Sequence, residues 1–158
     1  QQGIPVVTIN TEKVGIEIYR IGDRNLNAVV GPNGDFLKQL SGSDASDLGT
    51  DHGQKVYSGE LDVSAKLNEE VTTAVPVGEA IPELKPGVYA MVAKPIGGKD
   101  RDSQRGTTQW FIVSDLGLAA FSGDNGLHAF VRSLVSAEPV AGAQVKRKTG
   151  FQPADDNS

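Results

Sequence analysis

The chain has 158 residues, long enough for one full domain or for one domain and part of another. Its 38% hydrophobic and 22% charged residues are ordinary for a globular protein, and a formal net charge of -5 makes it a poor non-specific binder of nucleic acid or an anionic membrane surface, both of which require a basic face. It contains no cysteine, which excludes disulfides, thiolate metal sites and a cysteine nucleophile.

No apolar run reaches the length of about eighteen residues that a membrane helix needs, so no membrane contact is expected from this segment. The chain starts at Gln1 without a methionine, basic region or apolar leader and reads as a mature or excised piece. With 19 Gly and 8 Pro and few long apolar periodic runs, β structure is favoured over helix.

In chain order, Ile4 to Ile9 is a β-branched run and predicts a strand. Val14, Ile16 and Ile18 alternate with Gly15, Glu17 and Tyr19 and predict a second strand with one buried face. Leu26, Val29 and Val30, then Phe36, Leu37 and Leu40, have roughly helical spacing around a Gly31-Pro32-Asn33-Gly34 break. They predict a helical insert over about 25–40. Residues 41–54, rich in Ser, Asp, Gly and Thr, predict an exposed loop.

Tyr57, Gly59, Leu61, Val63, Ala65 and Leu67 form the cleanest period-two pattern, and Val71, Thr73, Val75 and Val77 repeat it after an Asn68-Glu69-Glu70 turn. Pro76 lacks a ladder donor, which puts that strand end on an edge. Residues 78–85 allow one helical turn. Pro86-Gly87 then leads into a strand from Val88 to Ala93, and a polar loop over 95–106 leads to a strand from Thr107 to Ser114. The latter has apolar residues on both faces, Trp110 and Ile112 against Phe111 and Val113, and is expected to be covered on both sides. Leu116-Gly117-Leu118 reads as a short link. Leu127 to Val135 and Val140 to Val145 read as strands joined at Ala137-Glu138-Pro139, and residues 147–158 read as a flexible tail.

The fold class is therefore all-β with a minor helical insert: an immunoglobulin or fibronectin-III-like β-sandwich over 1–114, followed by a partial second module over 115–146. Two or three strands cannot make two covered sheets, so the apolar face of Leu127, Ala129 and Val131 would need strands from elsewhere.

Catalytic motifs are nearly absent. No Gly-x-Ser-x-Gly elbow occurs. Gly97-Gly98-Lys99 is followed by Asp100, so a phosphate loop lacks its Mg²⁺-binding hydroxyl. His52 and His128 have no ligand spacing for zinc and read as surface or interface histidines. Asp23, Asp44, Asp47 and Asp51 lack the Asp-x-Asp-x-Asp-Gly run of a Ca²⁺ loop and read as turn formers. Asp124-Asn125-Gly126 reads as a tight turn, and Glu69-Glu70 as a turn rather than an acid/base pair. Tyr89, Trp110 and Phe111 lie near Lys85, Lys94, Lys99, Arg101 and Arg105, but Glu83, Asp100 and Asp102 interrupt that charge. A core role outweighs base stacking. No catalytic, cofactor-binding or metal-ligating residue is assigned.

Pro86-Gly87-Val88-Tyr89, Gln109-Trp110-Phe111-Ile112-Val113-Ser114-Asp115-Leu116-Gly117-Leu118, Gly126-Leu127-His128-Ala129-Phe130-Val131-Arg132-Ser133-Leu134 and Pro139-Val140-Ala141-Gly142-Ala143-Gln144-Val145 resemble the macroglobulin modules of bacterial alpha-2-macroglobulins. The match is specific over about 86–145 and looser over 6–77. The resemblance implies scaffold modules from the N-terminal part of a large periplasmic or cell-envelope protease trap. In that family a protease cuts a bait region and an internal thioester, Cys-x-x-Glu-Gln or a close variant, captures it. Without cysteine this chain cannot hold the thioester, so the implied role is architectural and non-catalytic. Its partners would be neighbouring macroglobulin modules, with proteases as targets of the parent protein. Trp110, Phe111, Leu116, Leu118, Leu127 and Phe130 are the module-interface candidates. A cell-surface or fimbrial adhesion module, completed by strand pairing with a partner, is the alternative. An enzyme built on loops 41–54 and 95–106 ranks third, lacking a matched acid, base and nucleophile.

Overall fold

The computed structural model describes residues 3–31, 34–64, 66–97 and 106–145. The chain divides into two compact units, residues 1–113 and 114–158.

The first unit is an immunoglobulin-like sandwich of six strands. Strands β1 (Ile4–Ile9) and β4 (Glu70–Val75) form an antiparallel pair. Strands β2 (Lys13–Ile21), β3 (Gly53–Asp62), β5 (Gly87–Pro95) and β6 (Thr107–Val113) form an antiparallel sheet in the order β3-β2-β5-β6. Alternation along β2 and β5 explains the layering. Val14, Ile16 and Ile18 of β2, with Tyr89, Met91 and Ala93 of β5, face the β1–β4 pair and bury against Val6 and Val75. Tyr19 and Ile21, with Val88, Ala90 and Val92, face the other way into a second apolar layer. Burying each such aliphatic side chain contributes roughly 1.5–3 kcal/mol, so β2 and β5 anchor the unit.

The second layer is covered by the segment between β2 and β3. Helix α1 (Leu26–Val30) contributes Val29. Residues 41–54 are not an exposed loop: they form helix α2 (Gly42–Asp47) and a π-helical turn (Leu48–His52). Composition hides this helix, because only Ala45 and Leu48 are apolar, and both are buried. Its start is fixed by a capping box. The Ser41 hydroxyl accepts from the Asp44 amide at 3.2 Å, and the Asp44 carboxylate accepts from the Ser41 amide at 2.9 Å. Residues 36–40 are not helical either. Leu37 has φ of +65° and is exposed, while Phe36 and Leu40 pack inward.

β3 contains a bulge: Ile18 pairs with Tyr57 but Tyr19 with Lys55, leaving Val56 as the extra residue. The strand ends at Asp62, earlier than period two suggests. Val63 is buried, Leu67 is 84% exposed in a turn, and Ala65 lies outside the described residues. β4 stops at Val75, Pro76 precedes helix α3 (Val77–Ala80), and among the described residues β1 is the one strand hydrogen-bonded to β4. Tyr89, near the start of β5, sends its hydroxyl back to the Lys85 carbonyl at 2.6 Å, which is the tyrosine-corner arrangement of immunoglobulin-like sandwiches. β6 is an edge strand, and its covering is uneven: Trp110 is buried, Phe111 and Val113 are half-buried and Ile112 is 63% exposed. Most of the loop over 95–106 and the tail over 147–158 lie outside the described residues.

The second unit is built on one hairpin of β7 (Leu116–Gly123) and β8 (Gly126–Ser133). Residues 116–118 are therefore strand rather than link. The small residues Gly117, Ala119 and Ala120 obscure the pattern, and pairing with β8 imposes it. β8 ends at Ser133, whose hydroxyl accepts from the amides of Val135 and Ser136 at 3.2 and 3.1 Å. Residues 140–145 form no strand. They follow an isolated bridge between Arg132 and Pro139.

Candidate functional site

The six module-interface candidates separate into three environments. Trp110 is 7% exposed and belongs to the core of the first unit. Its Nε1 donates to the Lys38 carbonyl at 2.9 Å, and its ring meets Phe36 edge-on at 5.4 Å. It is unavailable to a partner. Phe111 stacks on Tyr89 at 5.1 Å, with 11° between the ring planes, and is half-buried.

The remaining four lie on the β7–β8 hairpin, where register sorts them by face. Leu118 pairs with Val131, Ala120 with Ala129 and Ser122 with Leu127. Leu116, Leu118, Leu127 and Val131 therefore share one face. Leu118 and Leu127 are 61% and 63% exposed. Beside this face, Leu116, Leu118 and Val131 line an open groove of about 470 Å³ with residues 140–145. Phe130 is on the opposite face and meets Phe121 edge-on at 6.0 Å. Phe121 is exposed as well, and sequence reasoning missed it because the short link read at 116–118 left residues 119–123 without an element. A two-stranded hairpin with apolar side chains on both faces is a marginal structure by itself.

Charged groups gather elsewhere. On β2 the Glu17 carboxylate binds Lys55 Nζ, accepts from the Tyr19 hydroxyl at 3.0 Å and lies 3.9 Å from Lys94 Nζ. The Lys55 hydrogen bond holds Glu17 below the usual carboxylate range, against burial, which raises it. Burial, then the bond to Glu17, pushes the Tyr19 phenol up. Such a carboxylate stays ionised at neutral pH, which suits an ion pair rather than proton transfer.

The aspartates are used locally. Asp44 caps α2 and Asp23 pairs with Arg20 at 3.5 Å, while the Asp51 carbonyl accepts from the Asn25 side chain at 3.0 Å. Among the described residues no three His, Asp or Glu side chains converge as a metal site, and no helix is long and apolar enough to cross a membrane.

A six-stranded sandwich with a tyrosine corner and a helical cover between its second and third strands defines an immunoglobulin-like module. The family model described as the bacterial alpha-2 macroglobulin MG2 domain matches residues 1–111. The chain belongs to the bacterial alpha-2-macroglobulin family.

It is 25% identical over 144 residues to the alpha-2-macroglobulin of Escherichia coli (strain K12), and 30% identical over 145 residues to that of Xylella fastidiosa (strain Temecula1 / ATCC 700964). Those spans cover 91% and 87% of this chain and 8% of each relative. The crystal structure of native Escherichia coli alpha-2-macroglobulin spanning domains NIE-MG1 matches with a TM-score of 0.70 at 25% identity, covering 87% of this chain and 64% of that one. The cryo-EM structure of the native conformation of the Escherichia coli protein matches with a TM-score of 0.65 at 25% identity, covering 87% of this chain and 8% of that one. The chain thus corresponds to a small part of the relatives it resembles.

Proposed function

We propose that this chain is a non-catalytic scaffold segment of a bacterial alpha-2-macroglobulin that traps proteases in the periplasm or cell envelope. Residues 1–114 act as one complete macroglobulin module. Residues 115–146 begin the next, whose further strands come from the parent protein and cover Leu116, Leu118, Leu127 and Phe130. The partners of this segment are neighbouring modules, and proteases are targets of the parent protein as a whole. The observation that carries the reading is the β7–β8 hairpin, which leaves apolar side chains exposed on both faces inside a chain of this family.

Hydrogen exchange on this chain and on a longer piece of the parent protein tests it. Amides of β7 and β8 are expected to exchange quickly in this chain and to be strongly protected in the longer one, while β2 and β5 are protected in both. Equal protection of the hairpin in the two would sink the reading. A chain ending at Ser114 is expected to melt no lower than the whole, and a large loss would make the hairpin part of the first module.

A further inference from the structure

The tip of the β7–β8 hairpin carries a chemical feature that the scaffold role does not use. Gly123 pairs with Gly126 across the two-residue connection Asp124-Asn125, and Gly126 takes φ of +117°. Asp124, Asn125 and Gly126 are all exposed, and nothing lies within 4 Å of where a Cβ on Gly126 would sit. His128 Nε2 is 2.9 Å from Asn125 Oδ1. An amide oxygen only accepts, so Nε2 carries the proton and donates it.

We propose that Asn125-Gly126 is a self-modification site at which asparagine is converted to aspartate or isoaspartate with assistance from His128. The Gly126 nitrogen, losing its proton to solvent, forms a bond to Asn125 Cγ. The electron pair of the carbonyl moves onto Oδ1, where the His128 N–H stabilises the charge. The pair on Oδ1 then re-forms the carbonyl as the Cγ–Nδ2 bond breaks, and the nitrogen takes a proton from solvent and leaves as ammonia, giving a five-membered imide. Water opens the imide at either carbonyl. Opening at Cγ gives aspartate, and opening at the main-chain carbonyl gives isoaspartate, with the backbone rerouted through the side chain. Glycine at 126 allows the nitrogen to approach without steric hindrance. The product puts a second carboxylate beside Asp124, and the isoaspartate form lengthens the turn by one methylene.

The chain has one other Asn-Gly pair, Asn33-Gly34. Gly34 is wedged against α1: a Cβ there would lie 1.9 Å from the Val29 carbonyl oxygen. Phe36 stands three residues after Asn33, where His128 stands three after Asn125, so this pair serves as an internal comparison without the imidazole.

The test is to incubate the intact chain in warm neutral buffer. Conversion at 125 and 33 is then followed by peptide mass spectrometry and by enzymatic methylation of isoaspartate. Position 125 is expected to convert well before position 33. His128→Phe is expected to slow conversion at 125 by about fivefold, the effect of one neutral hydrogen bond on a barrier. His128→Gln keeps a donor and is expected to restore most of the rate. Conversion at 33 ahead of 125 would overturn the proposal. So would an unchanged rate in His128→Phe, or equal slowing by Phe and Gln.

Discussion

Gln39 lays its side-chain amide along the free edge of β6 at Thr108. Its Oε1 accepts the Thr108 amide at 2.7 Å and its Nε2 donates to the Thr108 carbonyl at 3.3 Å. One side chain thus does at one position what a neighbouring strand would do. The clamp is extended on both sides: the Leu40 amide donates to Thr108 Oγ1 at 3.0 Å, and Trp110 Nε1 donates to the Lys38 carbonyl at 2.9 Å. An edge strand with unpaired backbone groups invites pairing with another chain, and covering it removes that template. Gln39→Leu is expected to destabilise the first unit by about 1–3 kcal/mol, because it leaves the Thr108 amide and carbonyl without partners. Gln39→Glu keeps an acceptor but no donor and should fall between. Urea unfolding of the three proteins gives the order, and a Leu variant as stable as the parent would contradict it.

Gly49 shows close approach deciding against helix propensity. It lies in the π-helical turn over Tyr19, and a Cβ there would be 2.7 Å from Tyr19 Cε1 and 2.9 Å from Cδ1. In an open helix, Gly→Ala gains about 1 kcal/mol. Forcing a methyl group into a filled space costs about 1–3 kcal/mol, so the cost wins. Gly49→Ala should lower the melting temperature. Gly78→Ala is the control: Gly78 lies in α3 with nothing within 4 Å, and that change should be neutral or mildly stabilising. A gain at both positions would show that the turn does not press on the Tyr19 ring.

The strands were legible where alternation carries them. Ile4 to Ile9, Val14 to Ile18, Tyr57 to Leu61 and Val71 to Val75 all lie in strands, and the last three turn the expected face inward. Alternation could not show that the outer face of β2 is also covered, because the cover comes from Ala45 and Leu48 in a segment rich in Ser, Asp and Gly. The readable signal there was local: Ser41 with Asp44 three residues on, a capping box without an apolar run behind it. Apolar residues on both faces of β6 signalled cover on both sides, but not its source: Phe36 and Lys38 return from a distant part of the chain to cover Trp110, one of the module-interface candidates. The exposed residues of the hairpin were legible in part. Leu127 and Phe130 stand in a clear β-rich run, whereas Phe121 sits among glycine, alanine and serine, and only pairing with β8 gives it a face.

Glu17 and Lys55 link β2 to its neighbour β3 on the outer face of the sheet, with Lys55 Nζ 5.6 Å from the Tyr19 ring centre. Lys55 chiefly lowers the Glu17 carboxyl below its usual 4.5, and Glu17 chiefly raises the Lys55 ammonium above its usual 10.5. A lowered carboxylate stabilises the fold above the unfolded value, and that contribution is lost as pH falls through the folded value. A raised ammonium stabilises below its unfolded value and loses the contribution as pH rises through the folded one. The pair is therefore fully effective between these limits. Lys55 is half-exposed, which keeps its worth under about 1 kcal/mol. Glu17→Gln should be less stable than the parent at neutral pH, with the gap closing in acid below the folded value. A gap independent of pH would mean that the loss comes from packing rather than charge.

Asn10 and Asn68 tie two chain reversals together. Asn10 lies between β1 and β2, and Asn68 between β3 and β4. Both have positive φ, +52° and +58°. The Asn10 Nδ2 donates to Asn68 Oδ1 at 3.1 Å, and the Asn68 amide donates to Asn10 Oδ1 at 2.7 Å. Asparagine is among the few residues with a side chain that enter the left-handed region readily, and alanine there costs roughly 1–2 kcal/mol. Asn10→Gly and Asn10→Ala both remove the two hydrogen bonds, but only alanine adds the backbone penalty. At an ordinary position glycine is the worse of the two by roughly 0.5–1 kcal/mol because of its greater unfolded-state freedom. At Asn10 the order should invert, with the alanine variant less stable than the glycine variant by about 1 kcal/mol in urea unfolding. If alanine proves equal or better, the turn does not impose a left-handed residue, and the two asparagines hold the end of the sandwich by their hydrogen bonds alone.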